Sequence, residues 1–164
     1  MKLAISSVIL SIAVSVSGTP AAGASTFTDV VEHYEAIRQV LIEDSTEGIA
    51  DHATAIADAA AALARDVDST AAQIDAGDAD ALRGLLPEIA ARASSVATAD
   101  GLKSTREAVA ELTKPLVRWH ELVEGARPVV AYCPMVKKAW LQPDEAIGNP
   151  YAPYMLRCGE VVQR

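Results

Sequence analysis

Four sulfur-containing side chains near the C-terminus have the types and spacings of a soft-metal site. Cys133 and Met135 are two positions apart, so in an extended chain their side chains point to the same side. Met155 and Cys158 are three positions apart, so on a helical turn they share one face. Thiolates and thioethers are soft ligands that favour Cu(I), and by the same logic Ag(I), over cations that prefer oxygen. The spacing therefore predicts a metal site formed by these four residues.

The same two cysteines also suit a disulfide. In an oxidising compartment Cys133 and Cys158 can form a bond that closes a loop of about 26 residues, which the chain-entropy model values at about 3.5 kcal/mol. The two methionines would then only fill apolar space. A metal site needs both thiols reduced and close to the thioethers, whereas a disulfide needs only the two sulfurs. The residues alone leave both interpretations open.

The N-terminus predicts export. Lys2 precedes an apolar, uncharged run from Leu3 to Val16, and Ala22-Gly23-Ala24 has the A-x-A form of a signal-peptidase site. The run is shorter than the about 20 residues that a membrane-spanning helix needs. We therefore expect residues 1–24 to be a cleavable signal peptide, the mature chain to be periplasmic or secreted, and no membrane span to remain after cleavage.

Composition and motifs exclude several classes of function. The net charge of -8 argues against a protein that binds nucleic acid, because the phosphate backbone repels an acidic surface. No nucleophile elbow, P-loop or dinucleotide-binding fingerprint is present in the sequence, so we expect no enzymatic activity. His33, His52 and His120 are nowhere three or four positions apart, so no single helix presents a pair of imidazoles to a metal.

The body that must position the sulfur residues is predicted to be helical. Apolar residues recur in steps of three and four along four stretches, forming stripes that include Ile37, Ile56, Ile89 and Leu116. The sequence also holds 32 alanines, which allow helices to approach closely. Ser45 is expected to cap the second helix, and Ser104 to begin the fourth. Gly84 and Pro87 predict a third helix that is kinked or begins only near Leu86. Residues 25–125 are therefore predicted to form an antiparallel four-helix bundle.

Residues 126–164, the C-terminal segment, differ in composition and are predicted to pack on the bundle as part of the same domain. Five of the eight prolines lie between positions 128 and 158, so this stretch is not a continuous helix. We expect a short strand at Val129–Tyr132 and turns elsewhere, with Trp140, Tyr151 and Tyr154 as apolar anchors. The predicted fold class is all-α, with a short irregular, β-containing tail.

Four short motifs in the C-terminal segment resemble a bacterial domain family of unknown function. They are YCPM at 132–135, WLQ at 140–142, NPY at 149–151 and MLRCGEV at 155–161. Members of that family follow a signal peptide, or are fused to periplasmic adaptor subunits of copper and silver efflux pumps of the resistance-nodulation-division type. The close resemblance covers about 30 residues; Ala152-Pro153 departs from it, since many members have a glycine there.

The resemblance implies a function in heavy-metal handling. It implies that Cys133, Met135, Met155 and Cys158 are linked to a metal, Cu(I) or Ag(I), and that a periplasmic metal-efflux component is a partner. Four further positions would form the framework of the site: Tyr132, Trp140, Asn149 and Tyr151. The alternative is a helical interaction domain stapled by a Cys133–Cys158 disulfide, with no metal site.

Overall fold

The computed structural model describes residues 27–164, so the predicted signal peptide lies outside the described residues. This part of the chain is mostly helical, with a small antiparallel sheet at its C-terminal end. The helices are α1 (Phe27–Ile42), α2 (Ile49–Arg65), the single turn α3 (Ser69–Ala72), α4 (Ala79–Ala97) and α5 (Gly101–Leu122). The strands are β1 (Val129–Cys133), β2 (Lys138–Gln142) and β3 (Glu160–Gln163).

The four long helices follow the apolar stripes that predicted them. Each buries one face, and burying a large apolar side chain contributes about 1.5–3 kcal/mol. The fully or almost fully buried side chains include Tyr34 and Ile37 of α1, Ile56 and Leu63 of α2, Leu86 and Ile89 of α4, and Leu112 and Trp119 of α5. One apolar core therefore runs through all four helices.

Two predicted helix starts are wrong, and one of two alternatives for a third is excluded. The N-cap of α2 is Gly48, in the left-handed region at φ 76°, while the Ser45 hydroxyl accepts the Glu47 N–H in the preceding turn. Helix α5 begins at Gly101, and the Ser104 hydroxyl donates to the Asp100 carbonyl inside the helix. Helix α4 begins at Ala79 and continues through Gly84 and Pro87, which excludes a start near Leu86 and leaves the kinked helix as the prediction. Leu82 and Leu85 in its first turns are buried, and their burial favours the longer helix.

The C-terminal segment contains more strand than the sequence predicts. β1 lies in the middle of the sheet and pairs antiparallel with β2 on one side and β3 on the other. A turn at residues 134–137 joins β1 to β2, with Lys137 at φ 54°. The expected strand at Val129–Tyr132 is present and extends to Cys133, but the expectation of turns elsewhere is wrong for β2 and β3.

The sheet packs onto the helices through β2. Helix α2 packs against α1 and α4, and α4 packs against α5. β2 contacts both α5 and α1, and so it connects the sheet to these two helices. Among residues 27–164, no helix combines the length and the apolar character needed to cross a membrane.

Candidate functional site

A disulfide joins the two cysteines of the predicted sulfur site. Cys133 ends β1 and is fully buried, and the half-buried Cys158 lies just before β3. Their sulfurs are bonded, with the Cα atoms 5.7 Å apart. The bond closes the loop that contains β2 and the NPY motif. In this form neither sulfur is a thiolate, which is the form that binds metals.

The two methionines lie on the turns beside the cysteines. Met135 is in the β1–β2 turn and is 70% exposed, so its thioether faces solvent while Cys133 is buried. Met155 is half-buried, and its carbonyl accepts the N–H of Cys158 at 2.9 Å, which places both on one turn as their spacing predicts. The structure thus brings Cys133 and Cys158 together and leaves Met135 on the surface.

Asn149 holds the NPY turn in place. It is fully buried, its side-chain N–H donates to the Cys158 carbonyl at 3.0 Å, and its side-chain oxygen accepts the N–H of Tyr151 at 2.9 Å. Its own backbone N–H donates to the Leu156 carbonyl at 2.8 Å. A buried amide with these partners fixes the loop against the disulfide, because each lost bond would leave a polar group unpaired.

Two arginines from the helices bind the backbone of the same loop. Arg38 of α1 is buried, forms a bidentate ion pair with Glu35, and donates to the Gly148 carbonyl at 2.7 Å. Arg106 of α5 donates to the Pro150 carbonyl at 2.9 Å. A Cβ at Gly148 would lie 2.6 Å from an Arg38 Nη atom, so any other residue here would force the Arg38 guanidinium to shift.

Trp140 and Tyr132 shape the interior of the C-terminal segment. The Trp140 ring is fully buried and its indole N–H donates to the Gln142 side-chain oxygen at 2.7 Å. Gly159, at φ 150°, passes so close that a Cβ would lie 2.6 Å from the Trp140 ring and 3.3 Å from the Tyr132 carbonyl. The half-buried Tyr132 reaches the segment's surface beside Lys137 and Lys138.

Tyr151 joins the segment to the helices through a buried chain of hydroxyls. The Tyr34 hydroxyl lies 2.7 Å from Thr113 Oγ1, which lies 3.2 Å from the Tyr151 hydroxyl. Tyr151 donates to the Ala139 carbonyl at 3.1 Å, and its ring meets Trp140 edge-on. Burial raises the pKa of both tyrosines, that of Tyr151 more strongly, so both stay neutral at physiological pH.

Tyr154 does not act as an anchor. It is 78% exposed, so the expectation that it packs on the helices is wrong. It follows Pro153 at the start of a 3₁₀ turn, whose geometry directs the ring to solvent while Tyr151 takes the buried position.

No protein-family model, curated protein or solved structure matches the chain. The likeness of the four motifs to the metal-efflux-associated family therefore stays a prediction.

The histidines carry contacts that the sequence does not predict. His33 and His52, on α1 and α2, lie with their Nδ1 atoms 3.0 Å apart. His120 is buried; its Nε2–H donates to the Pro128 carbonyl at 2.7 Å, and its Nδ1 has no partner within residues 27–164. Burial lowers the pKa of His120. Sequence spacing misses the first pair because its members are 19 residues apart, on different helices.

In its disulfide form the predicted sulfur site does not fit a soft metal. Both cysteine sulfurs are joined in the bond, and Met135 is exposed to solvent whereas Cys133 is buried. Across residues 27–164 no group of three or more His, Cys, Asp and Glu side chains is placed to hold a metal ion. The arrangement instead anchors a loop, because the disulfide, Asn149 and the two arginines all hold its backbone.

Proposed function

We propose that this protein is an exported, non-enzymatic interaction domain of heavy-metal handling, stapled by the Cys133–Cys158 disulfide. The observation that carries the proposal is the disulfide, since it joins β1 to the loop on which the remaining motif residues lie. A bond of this kind persists in an oxidising compartment, which agrees with the export that the N-terminal sequence predicts. The staple keeps a small, proline-rich segment ordered enough to present a binding surface.

The surface that we assign to partner binding is the exposed apolar part of the C-terminal segment. Within residues 27–164 the exposed large apolar side chains are Met135, Tyr154, Leu156 and Val162, and all four belong to this segment. Tyrosine and methionine are enriched at protein interfaces. The partner we propose is a periplasmic component of a copper or silver efflux pump, which is the association that the motif resemblance implies.

A binding measurement with the periplasmic adaptor subunit of such a pump tests this proposal. We expect the oxidised protein to bind it, and Tyr154→Ser to weaken binding at least tenfold, because aromatic residues dominate interface energies. Lys103→Ser, at an exposed position of α5 outside the segment, is the matched control and should bind like the wild type. Equal binding by all three proteins, or none by the wild type, would overturn the proposal.

A second candidate function is binding of Cu(I) or Ag(I) by the reduced protein. What favours it is the pairing of the two cysteines, since reduction of their bond leaves two thiols adjacent, with Met155 on the same turn as Cys158. The ligands proposed are Cys133, Cys158 and at least one of Met135 and Met155. In this function the disulfide form would be the state without metal.

Anaerobic competition against a coloured Cu(I) chelator separates the two functions. For a metal-binding protein, the reduced wild type should retain copper, Cys133→Ser and Cys158→Ser should lose most of the affinity, and Met155→Leu should lose less. The oxidised protein should retain none. If the reduced wild type and the three variants lose copper to the chelator equally, these sulfurs do not form a metal site. The result would then favour the interaction domain as the function.

The antiparallel four-helix bundle is also a proposal about α1, α2, α4 and α5. Its support is the packing of α2 on α1 and α4 and of α4 on α5, together with the edge-on contact of Phe27 with Trp119, their ring centroids 5.1 Å apart. Distances between spin labels test it. Labels at Gln39 and Asp51 should lie closer together than labels at Gln39 and Arg65, and the reverse order would exclude an antiparallel α1–α2 pair.

A further inference from the structure

Two histidines from neighbouring helices face each other on the side of the molecule formed by α1 and α2. His33 and His52 are both half-buried, with their Nδ1 atoms 3.0 Å apart and their ring centroids 5.3 Å apart. At this distance one ring donates its Nδ1–H to the Nδ1 of the other. Each ring therefore points the same nitrogen at one common point between the helices.

The separation of these nitrogens matches that of two ligands of one transition-metal ion. With metal–nitrogen bonds of about 2.0–2.1 Å, adjacent ligands lie about 2.9 Å apart in a square-planar site and about 3.3 Å apart in a tetrahedral one. The observed 3.0 Å falls between these two values. In the hydrogen bond the two nitrogens point at each other, so the rings must rotate for both to bind the same ion.

An open groove gives a cation access to the His33 side of the pair. His33 lines an open groove of about 540 Å³ with the acidic residues Asp29 and Asp58, while Arg65 is the basic residue that lines it. Asp29 already interacts with another group, so it is not counted as a ligand. The protein's net charge of -8 also attracts cations. The helices that carry the histidines are packed together, so the two imidazoles are held in place before any ion arrives.

We propose that His33 and His52 form a binding site for a divalent transition metal ion of the class that imidazole prefers: Zn(II), Ni(II) or Cu(II). The ion takes the place of the shared proton. The ring that carried this proton on Nδ1 holds one on Nε2 instead, so both imidazoles stay neutral and no net proton is released. Water occupies the other coordination positions. The site is independent of the proposed function, because it contains no sulfur and lies on α1 and α2.

Zinc titration of the untagged protein, with its disulfide intact, tests the site. We expect one Zn(II) to bind per chain, and His33→Gln and His52→Gln each to weaken binding at least tenfold. Glu32→Gln removes an exposed negative charge beside His33 but no ligand, and is the matched control; it should bind zinc nearly as the wild type does. Bound zinc should raise the Tm of the wild type and of this control, but not of the histidine variants.

Imidazole ¹⁵N resonances of the wild type give a second test that needs no substitution. Zinc should shift the Nδ1 resonances of His33 and His52 together, while the buried His120 serves as an internal control whose resonances do not move. The absence of zinc binding, a shift at only one of the two histidines, or equal affinity in both glutamine variants and the wild type would overturn the proposal.

Discussion

The four long helices and the C-terminal segment are stabilised in different ways. In the helices, many buried apolar side chains contribute to one shared core. In the segment, a few individual groups hold the backbone: the disulfide, the Asn149 amide and the guanidinium groups of Arg38 and Arg106. Volume-conserving substitutions should therefore be tolerated in the helices, whereas the segment should depend on particular residues.

We expect the largest loss of stability from substitution of the two buried tryptophans, one in the helices and one in the segment. Trp119 belongs to α5 and Trp140 to β2, and both are fully buried. We expect Trp119→Ala and Trp140→Ala each to lower the free energy of unfolding by about 3–5 kcal/mol, as measured in urea. Hydrogen exchange should distinguish the two variants, because Trp140→Ala should speed exchange mainly in residues 126–164. A cost below about 1 kcal/mol for Trp140→Ala would mean that the packing of the segment contributes little to the stability of the protein.

Reduction of the disulfide should have the next largest effect. Opening the loop frees the unfolded chain, so we expect a reductant to lower the free energy of unfolding of the wild type by about 2–4 kcal/mol. The double variant Cys133→Ser/Cys158→Ser should be unaffected by the reductant. Met155→Leu in the oxidised protein should be nearly silent. A wild type whose urea midpoint is the same with and without reductant would contradict the role of the staple.

The contact of Arg38 with the loop should contribute less to the free energy of unfolding than the disulfide does. Arg38→Met removes the donor to the Gly148 carbonyl and the ion pair with Glu35, which keeps only a hydrogen bond from Gln39. We expect this change to cost about 1–3 kcal/mol in urea unfolding. Arg118→Met is the matched control, since Arg118 pairs with Glu88 on the surface, where ion pairs contribute about 0–1 kcal/mol. Equal costs for the two variants would show that the loop does not depend on Arg38.

The smallest expected effect is a pH dependence at the junction of α5 and the C-terminal segment. Burial lowers the pKa of His120 in the folded protein, whereas in the unfolded chain the ring protonates near its usual pKa of about 6.5. The contribution of His120 to stability is therefore constant above pH 6.5 and is lost as the pH falls through the folded pKa, by at most about 1.4 kcal/mol per pH unit.

Urea unfolding at several pH values, together with an NMR titration of the histidines, measures this effect. His120 should titrate below the usual histidine range, and His120→Gln should have a weaker dependence of stability on pH between 6.5 and 5 than the wild type. A His120 that titrates at or above pH 6.5 in the folded protein would contradict its burial as a neutral ring.

The helices could be predicted because their signal is local and repeated. Ile37, Ile56, Ile89 and Leu116 all lie on the predicted stripes, and all are fully buried. Helix ends carry a weaker signal, since one residue decides each of them. Gly48, with its left-handed backbone, begins α2 three residues after the serine that has the better capping side chain. At α4, the burial of Leu82 outweighs the cost of a proline in the helix.

The C-terminal segment could be predicted only in part, because its structure depends on contacts between distant residues. β2 and β3 have five and four residues and exist because β1 pairs with both. The sequence identified Cys133 and Cys158 but left open whether they bind a metal or each other. It gave no sign that His33 and His52 meet, because their helices had first to be packed together.

The oxidation state of Cys133 and Cys158 in protein isolated from its native compartment tests the proposed staple most directly. The protein is denatured, treated with a thiol-alkylating reagent with and without prior reduction, and weighed by intact-mass spectrometry. If the disulfide is the working form, the chain gains two alkyl groups only after reduction. Two alkyl groups on the unreduced chain would show free thiols in the compartment, contradict the stapled domain, and favour metal binding by the sulfurs.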